Sequence, residues 1–219
     1  MGAEKGRVSV KIHDCKQGST EWLLLRCGIP TASEFGRLVT ADWKIRAGEG
    51  PRNYVLEKVA EKFMGLPKEA GGSWSMGQGQ ILETHARPWY QFAYDTKITE
   101  VGFITTDDGR CGCSPDGLIG DEGGIEIKSP QAHTHLEYLL GGVAPKEYRA
   151  QIQGCMYVTG RAWWKFVSYS NHFPSLVLHV EREEAAQTAI ASALERFYAE
   201  FDAAHAKLSD LMRASGRGD

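Results

Sequence analysis

The sequence predicts an α/β domain in which a mixed central sheet is flanked by helices. The first observation is the order of predicted elements, which runs helix, strands, hairpin, helix and strands. The second is the apolar–polar alternation of residues 125–128, which is typical of a strand with two different faces. The third is a near-heptad apolar stripe over residues 183–212, which predicts a long amphipathic helix.

The length and composition fit one globular unit. The chain has 219 residues, of which 42% are hydrophobic, so a core can form without disulfides. We expect a single domain over residues 1–219, with a disordered tail at 213–219. The net charge of −3 gives no overall basic signature for nucleic acid, although basic residues can still gather on one surface.

The spacing of the cysteines and the lack of long apolar stretches indicate a cytoplasmic protein. There are five cysteines, an odd number, and their spacing matches no zinc-binding pattern. Reduced thiols are therefore expected. The N-terminus has no apolar run typical of a signal peptide, and no stretch is long enough to span a membrane.

Four elements are predicted in the first third of the chain: a strand at 8–12, a short helix at 22–26, a second helix from Thr31, and a helix at 52–64. Ser19 or Thr20 would cap the short helix, and Gly28 would end it. The sequence Thr-Ala-Ser-Glu has the form of a capping box. A helix start is also a natural anion site, and Arg26 lies just upstream, although most capping boxes only cap.

The remaining elements follow from the same patterns. A helix is predicted over residues 76–94, a strand over 98–106, and a loop with a short helix over 131–140. Pro145 is suited to the first position of a helix that ends near Val158. Two strands are predicted at 162–169 and 176–180, ahead of the long final helix.

The segment from Cys113 to Pro130 predicts a hairpin that gathers charge. Residues 121–124 supply the turn, since glycines can take positive φ. Folding about this turn places Asp116 across from Glu126, and Lys128 shares the face of Glu126. Carboxylate oxygens are ligands for hard cations such as Mg²⁺. The alternative is a solvated hairpin with an ordinary surface Glu–Lys pair, and spacing alone leaves both open.

These residues also carry a resemblance to known nucleases. Pro-Asp followed by Glu-x-Lys resembles the PD-(D/E)xK superfamily, which implies a restriction-endonuclease-like core. The wider run C-S-P-D-G-L…G-I-E-I-K-S-P resembles the lambda-exonuclease (YqaJ-type) family of viral recombination nucleases. The resemblance implies that Asp116, Glu126 and the Ile127 carbonyl bind two Mg²⁺ ions, which Mn²⁺ can replace. Lys128 would orient the attacking water or act as its base.

Two weaker motifs extend the resemblance. Residues 79–86 resemble a helical motif of the family, which implies that Glu83 is a further acidic ligand. Gln153 and Tyr157 fit a Q-x-x-x-Y motif, so the glutamine would border the catalytic centre and the tyrosine would contact or support DNA. Gln151, which the helical period turns away from Gln153, is grouped with the DNA-binding residues.

A fourth block, Q-G…W…L-R-x-G-x-x-T-A-S-E, resembles the family's end-binding region. By this resemblance Arg26 and Ser33 would hold the 5′ phosphate of a DNA end, and Trp22 would lie near the terminal nucleotides. From the residues alone, Trp22 is equally well explained as a core tryptophan.

Together the four blocks imply a Mg²⁺-dependent exonuclease that degrades one strand of linear double-stranded DNA from its 5′ end. The products would be 5′ mononucleotides and 3′ single-stranded tails, which a single-strand-annealing recombination protein would use. The resemblance further implies a homotrimeric ring, no membrane association, and a phage or prophage protein in the bacterial cytoplasm. Two alternatives are another PD-(D/E)xK endonuclease and a non-catalytic protein that binds DNA ends.

Overall fold

The computed structural model describes residues 9–66 and 85–216. The helices are α1 Thr20–Arg26, α2 Glu49–Met64, α3 at 85–94, α4 Ala132–Gly141, α5 Lys146–Thr159 and α6 Glu184–Ala214, with a 3₁₀ helix at Ala32–Arg37. The strands are β1 Val10–His13, β2 Ile98–Thr99, β3 Phe103–Thr106, β4 Gly112–Cys113, β5 Gly117–Ile119, β6 Gly123–Lys128, β7 Trp163–Ser168 and β8 Leu176–Glu181.

The central sheet has five strands in the order β2-β5-β6-β7-β8. Strands β6 and β7 pair in parallel, and the chain crosses between them through α4 and α5. The other three pairings in this sheet are antiparallel. This arrangement confirms the predicted mixed central sheet with flanking helices.

A second, smaller sheet with the order β1-β3-β4 was not predicted. The single strand predicted over residues 98–106 is wrong, because β2 belongs to the central sheet and β3 to the small one. The break lies at Gly102, where an added Cβ would come within 1.9 Å of the Cys15 carbonyl oxygen. Only glycine allows this approach of two backbone segments.

Two apolar clusters cover opposite parts of the central sheet. The larger cluster joins the 3₁₀ helix, α2, α5 and α6 to the sheet, with Trp164, Phe166 and Phe197 almost fully buried. The smaller cluster packs α3 against Ile125 and Ile127 of β6. Helix α3 therefore covers the side of β6 that carries the isoleucines.

The N-terminal helices differ in part from the predictions. Ser19 caps α1 as expected, since its side chain accepts a hydrogen bond from the Trp22 N–H. The capping box at Thr31 does not form: Thr31 makes no side-chain cap bond, and Glu34 pairs with Arg37 instead. At the other end of the chain, α6 continues to Ala214, so residues 213 and 214 of the predicted tail are helical. Within the described ranges, no helix is both long and apolar enough to cross a membrane.

Candidate active site

The predicted hairpin is confirmed. Strands β5 and β6 pair antiparallel with Gly117 opposite Ile125, so the next residues along each strand are Asp116 and Glu126. Beyond Gly117 the backbone pairing ends, and the Asp116 carboxylate takes over the hydrogen bonding. Its Oδ2 accepts a bond of 2.6 Å from the Ile127 N–H. A side chain thus continues the strand pairing and holds the carboxylate against β6.

The glycines of the hairpin act differently from the prediction. Positive φ occurs at Gly120, while Gly123 and Gly124 are strand residues. Gly124 faces the ring of Trp164, and an added Cβ would come within 2.2 Å of it. The glycine at this position is therefore required for close packing of β6 on β7.

Glu126, Lys128 and Gln151 meet at one oxygen. Glu126 Oε1 accepts from Lys128 Nζ at 2.5 Å and from Gln151 Nε2 at 2.5 Å. Glu126 is only 1% exposed, whereas the Lys128 side chain is 25% exposed. The alternative of a solvated surface Glu–Lys pair is therefore wrong, because the Glu126 carboxylate is buried. Burying a carboxylate is costly unless hydrogen-bond donors or cations compensate for the lost water.

Asp116, like Glu126, is a carboxylate withdrawn from water. Burial raises the pKa of this carboxyl, and Lys128, the Ile127 N–H and Arg87 oppose the shift in that order. Two opposed carboxylates with reduced access to water favour a cation between them. Their oxygens are donors of the type that Mg²⁺ and Mn²⁺ prefer, and so is the Ile127 carbonyl, which is predicted as a further ligand.

A third acidic ligand is not seen in the part of the chain that the structure describes. Within residues 9–66 and 85–216, no three His, Cys, Asp or Glu side chains gather closely enough to hold an ion. Glu83, the predicted further ligand, lies outside the described residues.

The predicted position of Gln153 is wrong. Its Nε2 donates to the Glu181 carbonyl at 2.8 Å, and its Oε1 accepts from the Glu183 N–H and from Gln187 Nε2. Gln153 is 1% exposed and ties α5 to β8 and α6. Residues two positions apart on a helix lie on nearly opposite faces, so Gln151, rather than Gln153, faces Glu126 of the β5–β6 hairpin.

Tyr157 is half-buried and packs against the larger core cluster. Burial, followed by nearby Cys111 and Asp108, raises its pKa. A DNA contact of Tyr157 stays a prediction.

A second group of side chains surrounds Arg26. The guanidinium lies over the Trp22 ring, with 4.1 Å between Cζ and the ring centroid. Its Nη1 donates to Ser114 Oγ at 3.2 Å, and its Nη2 lies 3.5 Å from both Thr31 Oγ1 and Ser33 Oγ. We call these five residues the Arg26 cluster. The predicted neighbours Trp22, Arg26 and Ser33 are indeed together.

Hydroxyl groups surround Arg26 where a structural arginine would have a carboxylate. None of the ion pairs formed among the described residues includes Arg26. Burial lowers its pKa. Such a partly desolvated guanidinium, with hydroxyl donors around it, is suited to an anion that presents several oxygens.

Ser114 joins the two groups and was missed from the sequence. Its Oγ accepts from Trp22 Nε1 at 2.7 Å as well as from Arg26, and it precedes Asp116 by two residues. Gln17 Nε2 holds the same segment by donating to the Pro115 carbonyl at 2.9 Å. The only sequence signal for Ser114 was its place next to Pro-Asp. Thr31 is the other member that the sequence does not assign to this cluster, because its pattern predicts a helix cap.

The fold and the hairpin define the class of protein. A mixed sheet that brings an aspartate opposite Glu-x-Lys is the core of a PD-(D/E)xK nuclease fold. Residues 21–162 match the model of the YqaJ-like viral recombinase domain. The chain therefore belongs to the YqaJ-like viral recombinase family, in agreement with the resemblance found in its motifs.

Solved structures of similar proteins support this assignment. The alkaline exonuclease LHK-Exo from Laribacter hongkongensis is 32% identical, with a TM-score of 0.80 over 90% of this chain and 99% of that chain. LHK-Exo in complex with dAMP is also 32% identical, with a TM-score of 0.78 over 91% and 99%. A phage-related exonuclease from Haemophilus somnus 129PT shares the fold at 12% identity, with a TM-score of 0.61 over 83% and 96%. No curated protein sequence gives a significant match.

Proposed function

We propose that the protein is a metal-dependent exonuclease that degrades one strand of linear double-stranded DNA from its 5′ end. Family membership and the likeness to alkaline exonucleases indicate a DNA exonuclease. The observation that carries the finer proposal is that the β5–β6 hairpin, with Asp116 and Glu126, lies next to the Arg26 cluster. Asp116 belongs to this hairpin, which we call the acidic hairpin, and Ser114, two residues earlier, belongs to the Arg26 cluster.

Asp116, Glu126 and the Ile127 carbonyl would hold the metal ions, with Glu83 as the proposed further ligand. When bound, two Mg²⁺ or Mn²⁺ ions would supply an activated water and stabilise negative charge on the leaving 3′ oxygen. The Ile127 N–H keeps the Asp116 carboxylate fixed on β6. Gln151 and Lys128 fix the orientation of Glu126 through its Oε1.

Lys128 is the proposed catalytic amine. Its Nζ is bound to Glu126 and lies 5.4 Å from the centroid of the Tyr148 ring, so the ammonium is held from two sides. In this place it would orient the attacking water, or accept a proton from it once the neutral amine forms. The contact with Glu126 fixes the position of the amine, which suits the orienting role.

The Arg26 cluster would bind the terminal 5′ phosphate. The guanidinium supplies charge and two N–H edges, while Thr31 and Ser33 supply hydroxyl groups on the same side. Trp22, which lies against Arg26, would contact the terminal nucleotide. Binding of an end next to the acidic hairpin would release 5′ mononucleotides, and LHK-Exo was crystallised with such a molecule, dAMP.

The resemblance also suggests how the activity would be used. We propose that the 3′ tails pass to a single-strand-annealing protein, that three subunits form a ring, and that the protein acts in the cytoplasm of a bacterial host. These proposals rest on the family alone.

A time course on linear duplex DNA, labelled at one 5′ end, tests the proposed function. We expect Mg²⁺-dependent release of the labelled mononucleotide first, and no release in EDTA. Covalently closed circular DNA is the control substrate and should stay intact. Nicking of the circle at a comparable rate would favour the endonuclease alternative. End binding with no release in Mg²⁺ or Mn²⁺ would favour the non-catalytic alternative.

A further inference from the structure

Helix α2 holds the turn of residues 27–31, which joins Arg26 to the 3₁₀ helix that carries Ser33. The Gly28 N–H donates to Glu61 Oε2 at 2.9 Å, and the Thr31 N–H donates to the Tyr54 hydroxyl at 3.3 Å. At the start of the turn, Cys27 Sγ lies 3.2 Å from the Glu61 carbonyl oxygen. Two side chains and one carbonyl of α2 thus hold three residues of a five-residue turn.

The two α2 side chains that hold the turn, Tyr54 and Glu61, are themselves fixed. Tyr54 is 1% exposed and Glu61 is 4% exposed. Lys58 Nζ bonds both carboxylate oxygens of Glu61, at 3.1 and 2.9 Å. A buried carboxylate that accepts from an ammonium and from a backbone N–H is costly to displace, since both donors would lose their acceptor.

The turn is also pressed against the helix. Gly28 has φ +75°, and an added Cβ would lie 3.1 Å from the Cβ of Lys62. The turn therefore has little room to move toward α2. Its two ends carry the cation and the hydroxyl groups of the Arg26 cluster.

The geometry of that cluster is sensitive to the turn. Arg26 Nη2 lies 3.5 Å from Thr31 Oγ1 and 3.5 Å from Ser33 Oγ, at the outer limit of a hydrogen bond. A bound oxygen must contact the guanidinium and the hydroxyls together. A shift of about 0.5 Å at Thr31 would thus lose one of these contacts.

We propose that Tyr54 and Glu61 are positioning residues that shape the Arg26 cluster, so that α2 sets the discrimination between 5′-phosphorylated and 5′-hydroxyl DNA ends. The inference rests on the proposed function in one respect, namely that the Arg26 cluster binds the 5′ phosphate. Neither residue touches the DNA; both act through the backbone of residues 27–31.

The test measures binding rather than cleavage. Fluorescence anisotropy in EDTA gives the Kd of the full-length protein for a blunt duplex with a 5′ phosphate and for the same duplex with a 5′ hydroxyl. The ratio of the two Kd values is the discrimination. We expect Tyr54→Phe, which keeps the ring and loses the acceptor for Thr31, to lower this ratio by about 3- to 10-fold.

Glu61 supplies a graded comparison. Glu61→Gln keeps an acceptor for the Gly28 N–H and should hold the ratio within about twofold of wild type, while Glu61→Ala should lower it at least as far as Tyr54→Phe. Tyr198→Phe is the matched control, because this hydroxyl donates to the Arg110 carbonyl, away from the turn. It should lower the melting temperature and leave the ratio unchanged.

The outcomes are distinct. A wild-type ratio in both Tyr54→Phe and Glu61→Ala overturns the inference, as does equal binding of the two ends by the wild type. A wild-type protein that discriminates between the ends but releases no nucleotide contradicts the catalytic proposal alone. The Tyr54→Phe ratio then still decides the role of α2.

Discussion

The acidic hairpin and the Arg26 cluster share one short segment, residues 114–116, and handle charge in opposite ways. In the hairpin, two carboxylates lie opposite each other, and Lys128, Gln151 and a backbone N–H surround them. In the Arg26 cluster, a half-buried guanidinium is surrounded by hydroxyl groups and an aromatic ring. By its chemistry, the hairpin suits cations and the Arg26 cluster suits an anion.

The difference suggests a division of labour. A phosphate would be repelled by the hairpin without metal, because both carry negative charge, whereas the Arg26 cluster would attract it at any metal concentration. End binding and bond cleavage should therefore respond separately to mutation and to EDTA. The following predictions test this separation, beginning with the largest effect.

Asp116→Asn should reduce nucleotide release from linear duplex by about 1,000-fold or more, since the amide keeps the shape and loses the charge that holds a metal ion. End binding in EDTA should be kept or strengthened. Acid-soluble nucleotide and anisotropy assays measure the two effects. A cleavage rate within tenfold of wild type would remove Asp116 from the site.

Lys128→Met should lower the cleavage rate by about 100-fold or more and leave end binding unchanged, since the amine would act on the water and not on the end. Lys165→Met is the control, because this lysine lies on the adjacent strand β7. Single-turnover rates compare the two variants. Equal rates would exclude Lys128 from the mechanism.

Arg26→Ala should lower the preference for 5′-phosphorylated ends by about 10- to 100-fold. The preference of Arg26→Lys should lie between those of wild type and Arg26→Ala, because the ammonium keeps the charge and lacks the planar guanidinium that reaches several oxygens. Competition between phosphorylated and unphosphorylated duplexes gives the preference directly. Arg196→Ala, at an exposed pair with Glu200, serves as the control. An unchanged preference in Arg26→Ala would show that the phosphate is bound elsewhere.

Gln151→Ala should reduce the cleavage rate by about 10-fold with little loss of stability, since Gln151 orients the Glu126 carboxylate. Gln153→Ala should leave the cleavage rate nearly unchanged and cost about 1–3 kcal/mol of unfolding free energy, because the buried Glu183 N–H loses its acceptor and Gln187 Nε2 keeps only the Gln153 backbone carbonyl. Thermal melts and rates on the same preparations decide the assignment. The reversed result would restore Gln153 as the active-site glutamine.

The sequence predicted the parts of the molecule that are local in the chain. The hairpin followed from spacing, since strand alternation and turn length alone place Asp116 opposite Glu126. The choice between Gln151 and Gln153 did not, because it depends on how α5 is rotated against the sheet. That rotation is set by contacts such as Gly154 against Phe35, which the helical period does not show.

Contacts between residues that are distant in sequence also explain the other differences between the predictions and the structure. Gly102 broke the predicted strand because Cys15, far away in sequence, lies against it. Thr31 looked like a helix cap, yet its hydroxyl faces Arg26. Ser114 could not be assigned to the Arg26 cluster from sequence, since 88 residues separate it from Arg26.

This last separation has a consequence for assembly of the molecule. The Asp116–Ile127 bond closes a loop of 11 residues, whereas the Arg26–Ser114 bond closes one of 88. Chain-closure entropy makes the longer loop costlier by about 2 kcal/mol. The pair of Asp116 and Glu126 can thus form within one short stretch of chain. The Arg26 cluster, the proposed binding site for a DNA end, forms only once the first and middle thirds of the chain have packed together.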